Sequence, residues 1–302
     1  MQYTAITSPS NPHIKEAIEI KNKRSSKHRH AAFIIEGPHL IEIALASGHQ
    51  IKQVFFTSAF SSKKEGQKLL RQISKRADVI PAKAGIQKPS FQELKTTSEL
   101  DSHLRGNDGL ELFEVSEHIL SKFADTETPQ GIIAVASYSQ KNLEDIKFKS
   151  VPLIAIIDGI QEPGNLGTII RTSDAAGADA VIILKDTCDP FMPKALRATA
   201  GSIFNIPVLQ AETDLLLRWL KGKRIKIAIT SVYGGNNLFD ADLKNSLAFV
   251  FGNESQGVSS LMTENAEIVL KIPILGKAES LNVSASAAVC LYEAVRQRFY
   301  FA

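Results

Sequence analysis

Residues 153–171 read LIAIIDGIQEPGNLGTIIR, and the fold turns on how this stretch is read. Leu153–Ile157 is an unbroken apolar run, the pattern of a strand buried on both faces rather than on one. A loop rich in turn formers, Asp158 to Gly167, follows it and runs into a helix that carries Arg171. The same grammar repeats downstream. Apolar strands recur at Ala180–Leu184, Ile206–Leu209, Ile225–Thr230, Leu247–Phe251 and Ile268–Ile272, and helical segments fit between most of them. This alternation predicts an α/β architecture, a mostly parallel, doubly wound sheet with helices on both faces. Ligands of such sheets bind beyond the carboxyl ends of the strands, so the loops there are where a site belongs.

Toward the N-terminus the pattern is that of a smaller α/β unit. Strands at Ala32–Glu36 and Gln53–Thr57 bracket a helix from Pro38 to Ala46, and a charged helix runs from about Lys63 to Ala77. Leu110–Val115 and Gly131–Ala136 are two more strands, with a helix from Ser116 to Lys122 between them. Residues 79–109 have no sustained period and are longer than a connection inside a compact domain requires. Their ends, VIPAKAGIQ and LDSHLRGNDG, resemble a translated bacterial repeat element, which makes the stretch an insertion expected to form a mobile surface loop. The resulting plan is a first domain at 1–137, a polar linker at 138–150 and a second domain at 151–302.

Composition narrows the chemistry. The 302 residues are 44% hydrophobic and 22% charged, ordinary for a soluble globular protein. No apolar run approaches the roughly 20 residues of a membrane span. Residues 1–15 lack the apolar centre of a secretory signal. Cys188 and Cys290 make neither a disulfide framework nor a metal-binding pair, so a reducing cytoplasm is expected. The net charge is only +3, but Lys15, Lys21, Lys23, Arg24, Lys27 and Arg29 crowd one segment against Glu16 and Glu19. That cluster is either a footprint for nucleic-acid phosphates or a solvated basic helix face. All seven histidines precede residue 119. A histidine base, a Ser-His-Asp triad and a histidine-rich zinc site are thereby excluded from the second half.

Three loops after strands carry the candidate chemistry. In the first, Asn165 offers a donor and an acceptor, Gly167 allows close backbone approach, and Arg171 offers a planar cationic fork suited to phosphate. The alternative is an ordinary β–α turn with a surface arginine. No G-x-G-x-x-G follows the strand, which disfavours a nicotinamide-dependent oxidoreductase. In the second, Gly252-Asn253-Glu254-Ser255-Gln256-Gly257, two glycines flank a carboxylate that either anchors a ligand or caps the next helix. The third runs from Ile272-Pro273 to Ser280-Leu281-Asn282-Val283-Ser284 and enters a long helix reaching about Arg298. Ser280 or Asn282 can cap that helix, and Val283, Ala287, Cys290, Leu291, Ala294 and Val295 form its apolar stripe.

Taken in order, these loops resemble the three motifs of the SpoU (TrmH) family of RNA ribose methyltransferases: N-x-G-x3-R, G-x-E-x2-G, and the terminal I-P…S-L-N-V-S helix. The resemblance covers about Pro152 to Arg298, and Ser255 stands where many relatives have glycine. Phe33-Ile-Ile-Glu36-Gly37 and Thr128-Pro-Gln-Gly131 resemble the family's RNA substrate-binding domain. The resemblance implies a knotted (trefoil) C-terminal sheet and a homodimer formed through it. It also implies transfer of a methyl group from S-adenosylmethionine to a ribose 2′-hydroxyl, in rRNA rather than tRNA, with no metal. Arg171, Asn165, Glu254 and Asn282 fall on the family's central positions, and donor contacts on Gly252, Ile272, Leu281 and Ser284. RNA is expected at Lys21, Lys23, Arg24, Lys27 and Arg29. An arginine, with a pKa above about 12, is a poor base, so Arg171 is expected to orient the RNA phosphate and stabilise charge on the attacking oxygen. A non-catalytic RNA-binding assembly factor on the same scaffold is the competing reading.

Overall fold

The computed structural model describes residues 2–22, 30–77, 109–138, 141–148, 151–232 and 234–299. The expected insertion at 79–109 lies outside them except for Gly109, as do Lys23, Arg24, Lys27 and Arg29.

The first unit is built on a five-stranded sheet of β1 (Thr4–Ile6), β2 (Ala32–Glu36), β3 (Ile51–Phe56), β4 (Glu111–Val115) and β5 (Ile132–Ser137). Their order is β1-β4-β3-β5-β2. β4 pairs parallel with both neighbours, and β5 pairs antiparallel with both of its own. Three of its elements escaped the sequence reading: β1, a helix at Pro12–Asn22 and a one-turn helix at Ser58–Ser61. The helix Pro12–Asn22 buries Ile14, Ala17 and Ile20, a sparse stripe that its lysines and glutamates obscure.

The second unit holds β6 (Leu153–Asp158), β7 (Ala180–Ile183), β8 (Val208–Gln210), β9 (Lys226–Thr230), β10 (Asn236–Asn237), β11 (Leu247–Gly252) and β12 (Ile268–Lys271). The order is β10-β12-β9-β11-β6-β7-β8, and every pair is parallel. The strand expected at Ile206–Leu209 begins two residues late, because the Ile206 amide is bonded to the Ser202 carbonyl just after the 3-10 turn Ser202–Phe204. As the continuous apolar runs require, both faces are buried. Leu153, Ala155 and Ile157 enter one core, while Ile154 and Ile156 enter the other.

The first of these cores continues into the first unit through Phe33 and Ile35, so apolar packing joins the two sheets. Of the linker expected at 138–150, the described residues 141–148 are docked on the sheet. Leu143 and Ile146 are buried in the core on the sheet's other face, and Leu143–Asp145 forms a capped 3-10 turn. Two apolar anchors in a polar stretch suffice to hold it, and averaged polarity hides them.

Gly167 lies on the helix Pro163–Ala175, where a Cβ would fall 2.4 Å from the Ala195 carbonyl oxygen and 2.5 Å from the Ala198 Cβ. Its close approach therefore serves the helix Pro193–Thr199. Gly167→Ala is expected to overpack this contact by about 1–3 kcal/mol, read as a lower urea midpoint.

The last helix, Val283–Phe299, buries Ala287, Cys290, Leu291 and Ala294 and packs against Pro163–Ala175. At its end the Arg298 guanidinium donates to the carbonyls of Val151, Pro152, Leu243 and Asn245. These bonds fasten the chain's last turn to the segments that lead into β6 and β11. No helix among the described residues is long and apolar enough to cross a membrane.

Candidate active site

Gly252 at the end of β11 stands in register with Asp158 at the end of β6, so the loops after these strands start side by side. The second loop closes on itself, with Asn253 and Gly257 exchanging backbone hydrogen bonds of 2.8 and 2.9 Å. Asn253 braces it, its Oδ1 accepting from the Ser255 and Gln256 amides and its Nδ2 donating to the Gly159 carbonyl. Asp158 accepts from the Ser259 amide at 2.7 Å. Neither Asn253 nor Asp158 was singled out in the sequence, where each reads as an ordinary turn residue.

Glu254 then points at the first loop. Its Oε1 accepts from Asn165 Nδ2 at 2.9 Å and from the Glu162 amide at 3.3 Å, and its Oε2 accepts from the Gln161 amide at 3.3 Å. Asn282 Nδ2 donates to Asn165 Oδ1 at 3.1 Å. One polar chain thus joins Glu254, Asn165 and Asn282, residues from three separate motifs. The alternative in which Glu254 caps the next helix does not hold, because Ser259 occupies that N-cap. Asn282 is the side chain that caps the last helix, its Oδ1 accepting from the Ser284 amide and hydroxyl.

Burial pushes the Glu254 carboxyl up, but the hydrogen bonds from Asn165, from its own backbone and from the Gln161 and Glu162 amides outweigh it. The net pKa lies below the ordinary 4.5. A depressed carboxylate contributes its stabilisation above the unfolded value and loses it as pH falls through the folded one. The bond linking the loops is therefore expected to persist through neutral pH and to fail only below the usual carboxylate range. Donor affinity measured by calorimetry from pH 8 to 4 should stay flat and drop at the acid end. In Glu254→Gln it should be weaker and lack that drop.

A cavity of about 310 Å³ opens beyond the ends of β9, β11 and β12. Its walls are the backbone of Gly252 and Gly257 and the side chains of Val232, Val258, Ile272, Ile274 and Leu281, with Thr230, Ser280, Asn282 and Ser286 at polar points. Among the described residues Glu254 is the only ionisable one lining it. Neutral walls suit an adenine and a ribose, and one carboxylate suits a cation, features that S-adenosylmethionine combines in its adenosine and its sulfonium and ammonium groups. Of the expected donor contacts, Gly252, Ile272 and Leu281 line the cavity. Ser284 does not: its hydroxyl is spent on the helix cap, and Ser286 lines the wall instead. Thr230, the last residue of β9, was missed, although the rule about strand ends points to it.

Arg171 stands apart. It is exposed on Pro163–Ala175, six residues after Asn165, which at about 100° per residue turns it some 240° around the helix. Among the described residues it shares no hydrogen bond with the Glu254–Asn165–Asn282 chain. Of the basic cluster Lys15 and Lys21 are described; Lys15 is exposed, and the Lys21 ammonium donates to the Ala124 carbonyl.

Comparison with known proteins gives the family. Residues 152–292 match the model of the SpoU rRNA Methylase family, and residues 11–89 match an MRM3-like substrate binding domain. The chain is 31% identical over 287 residues to the 23S rRNA (guanosine(2553)-2′-O)-methyltransferase RlmP of Bacillus subtilis, covering 95% of this chain and 97% of that protein. It is 36% identical over 197 residues to the 23S rRNA (guanosine-2′-O-)-methyltransferase RlmB of Vibrio vulnificus, covering 63% of this chain and 79% of that one. The crystal structure of an AdoMet-bound rRNA methyltransferase from Sinorhizobium meliloti superposes with a TM-score of 0.80 at 26% identity, covering 99% of each chain. Fold and relatives together define an S-adenosylmethionine-dependent RNA methyltransferase with a mostly parallel α/β sheet. The chain belongs to the SpoU rRNA methylase family.

Proposed function

We propose that this chain methylates a guanosine 2′-hydroxyl of large-subunit ribosomal RNA in the cytoplasm, as a homodimer whose sites draw on both subunits. The observation that carries the reading is the polar chain Glu254–Asn165–Asn282 on the rim of a cavity with the chemistry of the donor. The guanosine and the large-subunit RNA rest on the names of the relatives RlmP and RlmB.

S-adenosylmethionine supplies an already activated sulfonium methyl, so the protein's part is positioning and charge stabilisation. Asn165 and Asn282, each held by the other and by Glu254 or Ser284, present fixed amides at the rim. The Cys188 thiol, pushed up to about 11 chiefly by burial, is no base at neutral pH. Arg171 then orients the RNA phosphate and stabilises the attacking oxygen. Its turn away from Asn165 is accommodated if it serves the partner's cavity. Leu275, Tyr292 and Phe299, exposed around the third motif and the last helix, are apolar surface that such a dimer would cover.

The test is mapping of 2′-O-methyl sites in RNA from cells with and without the gene. Loss of one site in large-subunit rRNA is expected. Loss of a tRNA site alone would redirect the substrate, and an unchanged map together with no donor binding by calorimetry would leave the assembly-factor reading.

A further inference from the structure

A second cavity, of about 370 Å³, lies where the two sheets meet and shares no lining residue with the donor cavity. His49, Gln50, Tyr138 and Lys141 line it from the first unit, and Phe191, Phe204 and Asn205 from the second. Tyr138 and Phe191 are stacked, with centroids 5.1 Å apart and planes at 24°, and His49 meets Phe204 edge-on at 5.0 Å. The Nδ1 atom of His49 is shielded from solvent and has no hydrogen-bond partner among the described residues. Burial, and then the nearby Lys141 charge, lower the imidazole pKa from 6.5, so the ring stays neutral and offers one donor and one acceptor. An aromatic wall, an unpaired ring nitrogen and a cation at one opening match the three parts of a nucleotide: a base that stacks, a base edge that hydrogen-bonds, and a phosphate.

The position adds to this. Asn205 Nδ2 donates to Asp174 Oδ2 at 3.3 Å, near the end of the helix that begins beside the active site. From Asn165 to Asp174 that helix advances about 14 Å.

We propose that this cavity takes one unstacked nucleotide, its base against the Tyr138–Phe191 wall, its edge at His49 and its phosphate at Lys141. In the RNA substrate such a nucleotide would be clamped between the two units and would set which neighbour reaches the donor cavity. That last step rests on the proposed RNA substrate, while the nucleotide chemistry stands on the cavity alone.

The experiment uses the full-length protein and the variants His49→Gln and Lys141→Ala, with melting temperature and S-adenosylmethionine affinity as controls on folding. The probes are the mapped rRNA fragment carrying 4-thiouridine and, separately, free GMP, AMP, UMP and CMP. If the nucleotide belongs to RNA, both variants should bind the fragment about tenfold more weakly, the size of one lost stacking or edge contact. Cross-links should then fall within 47–50, at Tyr138 or within 203–206. If the site serves a diffusible nucleotide, a mononucleotide should bind wild type and lose affinity in both variants, with RNA affinity unchanged. Unchanged affinities for fragment and mononucleotides, with cross-links only elsewhere, overturn the proposal. Wild type that methylates the fragment under those conditions would leave the methyltransferase reading standing. Wild type that ignores RNA but binds a mononucleotide through His49 and Lys141 would do the reverse.

Discussion

Arg171→Ala is expected to lower single-turnover methyl transfer to cognate RNA by roughly 10²-fold or more, the scale of losing one donor to a developing oxyanion. S-adenosylmethionine affinity and melting temperature should stay near wild type, because Arg171 is exposed and lines no part of the donor cavity. A purely decorative arginine would change stability by less than about 0.5 kcal/mol and leave turnover intact. Lysine should rescue poorly, since it keeps the charge but lacks the planar fork. The dimer adds a sharper test. Arg171→Ala and Asn282→Ala chains, each slow alone, should regain activity when mixed if Arg171 serves the partner's cavity, because one site of the mixed dimer then has both residues. Near-normal turnover in Arg171→Ala would remove it from the mechanism, and no recovery on mixing would place it within its own subunit.

Gly252→Ala is expected to reduce S-adenosylmethionine affinity about 100-fold and to lower the melting temperature by several degrees. A Cβ on Gly252 would fall 2.3 Å from the Gly257 carbonyl carbon and the Val258 nitrogen, both backbone atoms. A flexible side chain would turn aside from such a clash, but this loop is locked by the Asn253–Gly257 pair and by the bond from Asn253 to Gly159. The loop must therefore move as a body, carrying Glu254 away from Asn165. Overpacking of about 1–3 kcal/mol corresponds to a shift of several degrees in a chain of this size. Calorimetric titration with the donor and a thermal melt read the two effects. Wild-type donor affinity in the variant would show that the glycine serves folding alone.

The doubly wound sheet was legible because continuous apolar runs such as Leu153–Ile157 and Leu247–Phe251 leave few other ways to be buried. The three motifs were legible because each follows such a run. Short or diluted signals were not: β1 has three residues, the helix Pro12–Asn22 hides three buried positions among charges, and Leu143 and Ile146 anchor a stretch that looked like a tether.

What the sequence by itself determined, then, is the longer strands, the order of the loops after them, and the identity of Asn165, Glu254 and Asn282 as candidates. Those properties are local, set by runs and turns of a few residues. Only the tertiary structure decided what these side chains do to one another. Glu254 and Asn165 are 89 positions apart and Asn165 and Asn282 are 117 apart, yet parallel register and the docking of the last helix bring them within hydrogen-bonding distance. The same packing gave Gly167 to a neighbouring helix and Ser284 to a cap, and it turned Arg171 away from the residues that share its motif. A motif records spacing along the chain, whereas the face on which each side chain emerges depends on helical rotation and on what packs against it.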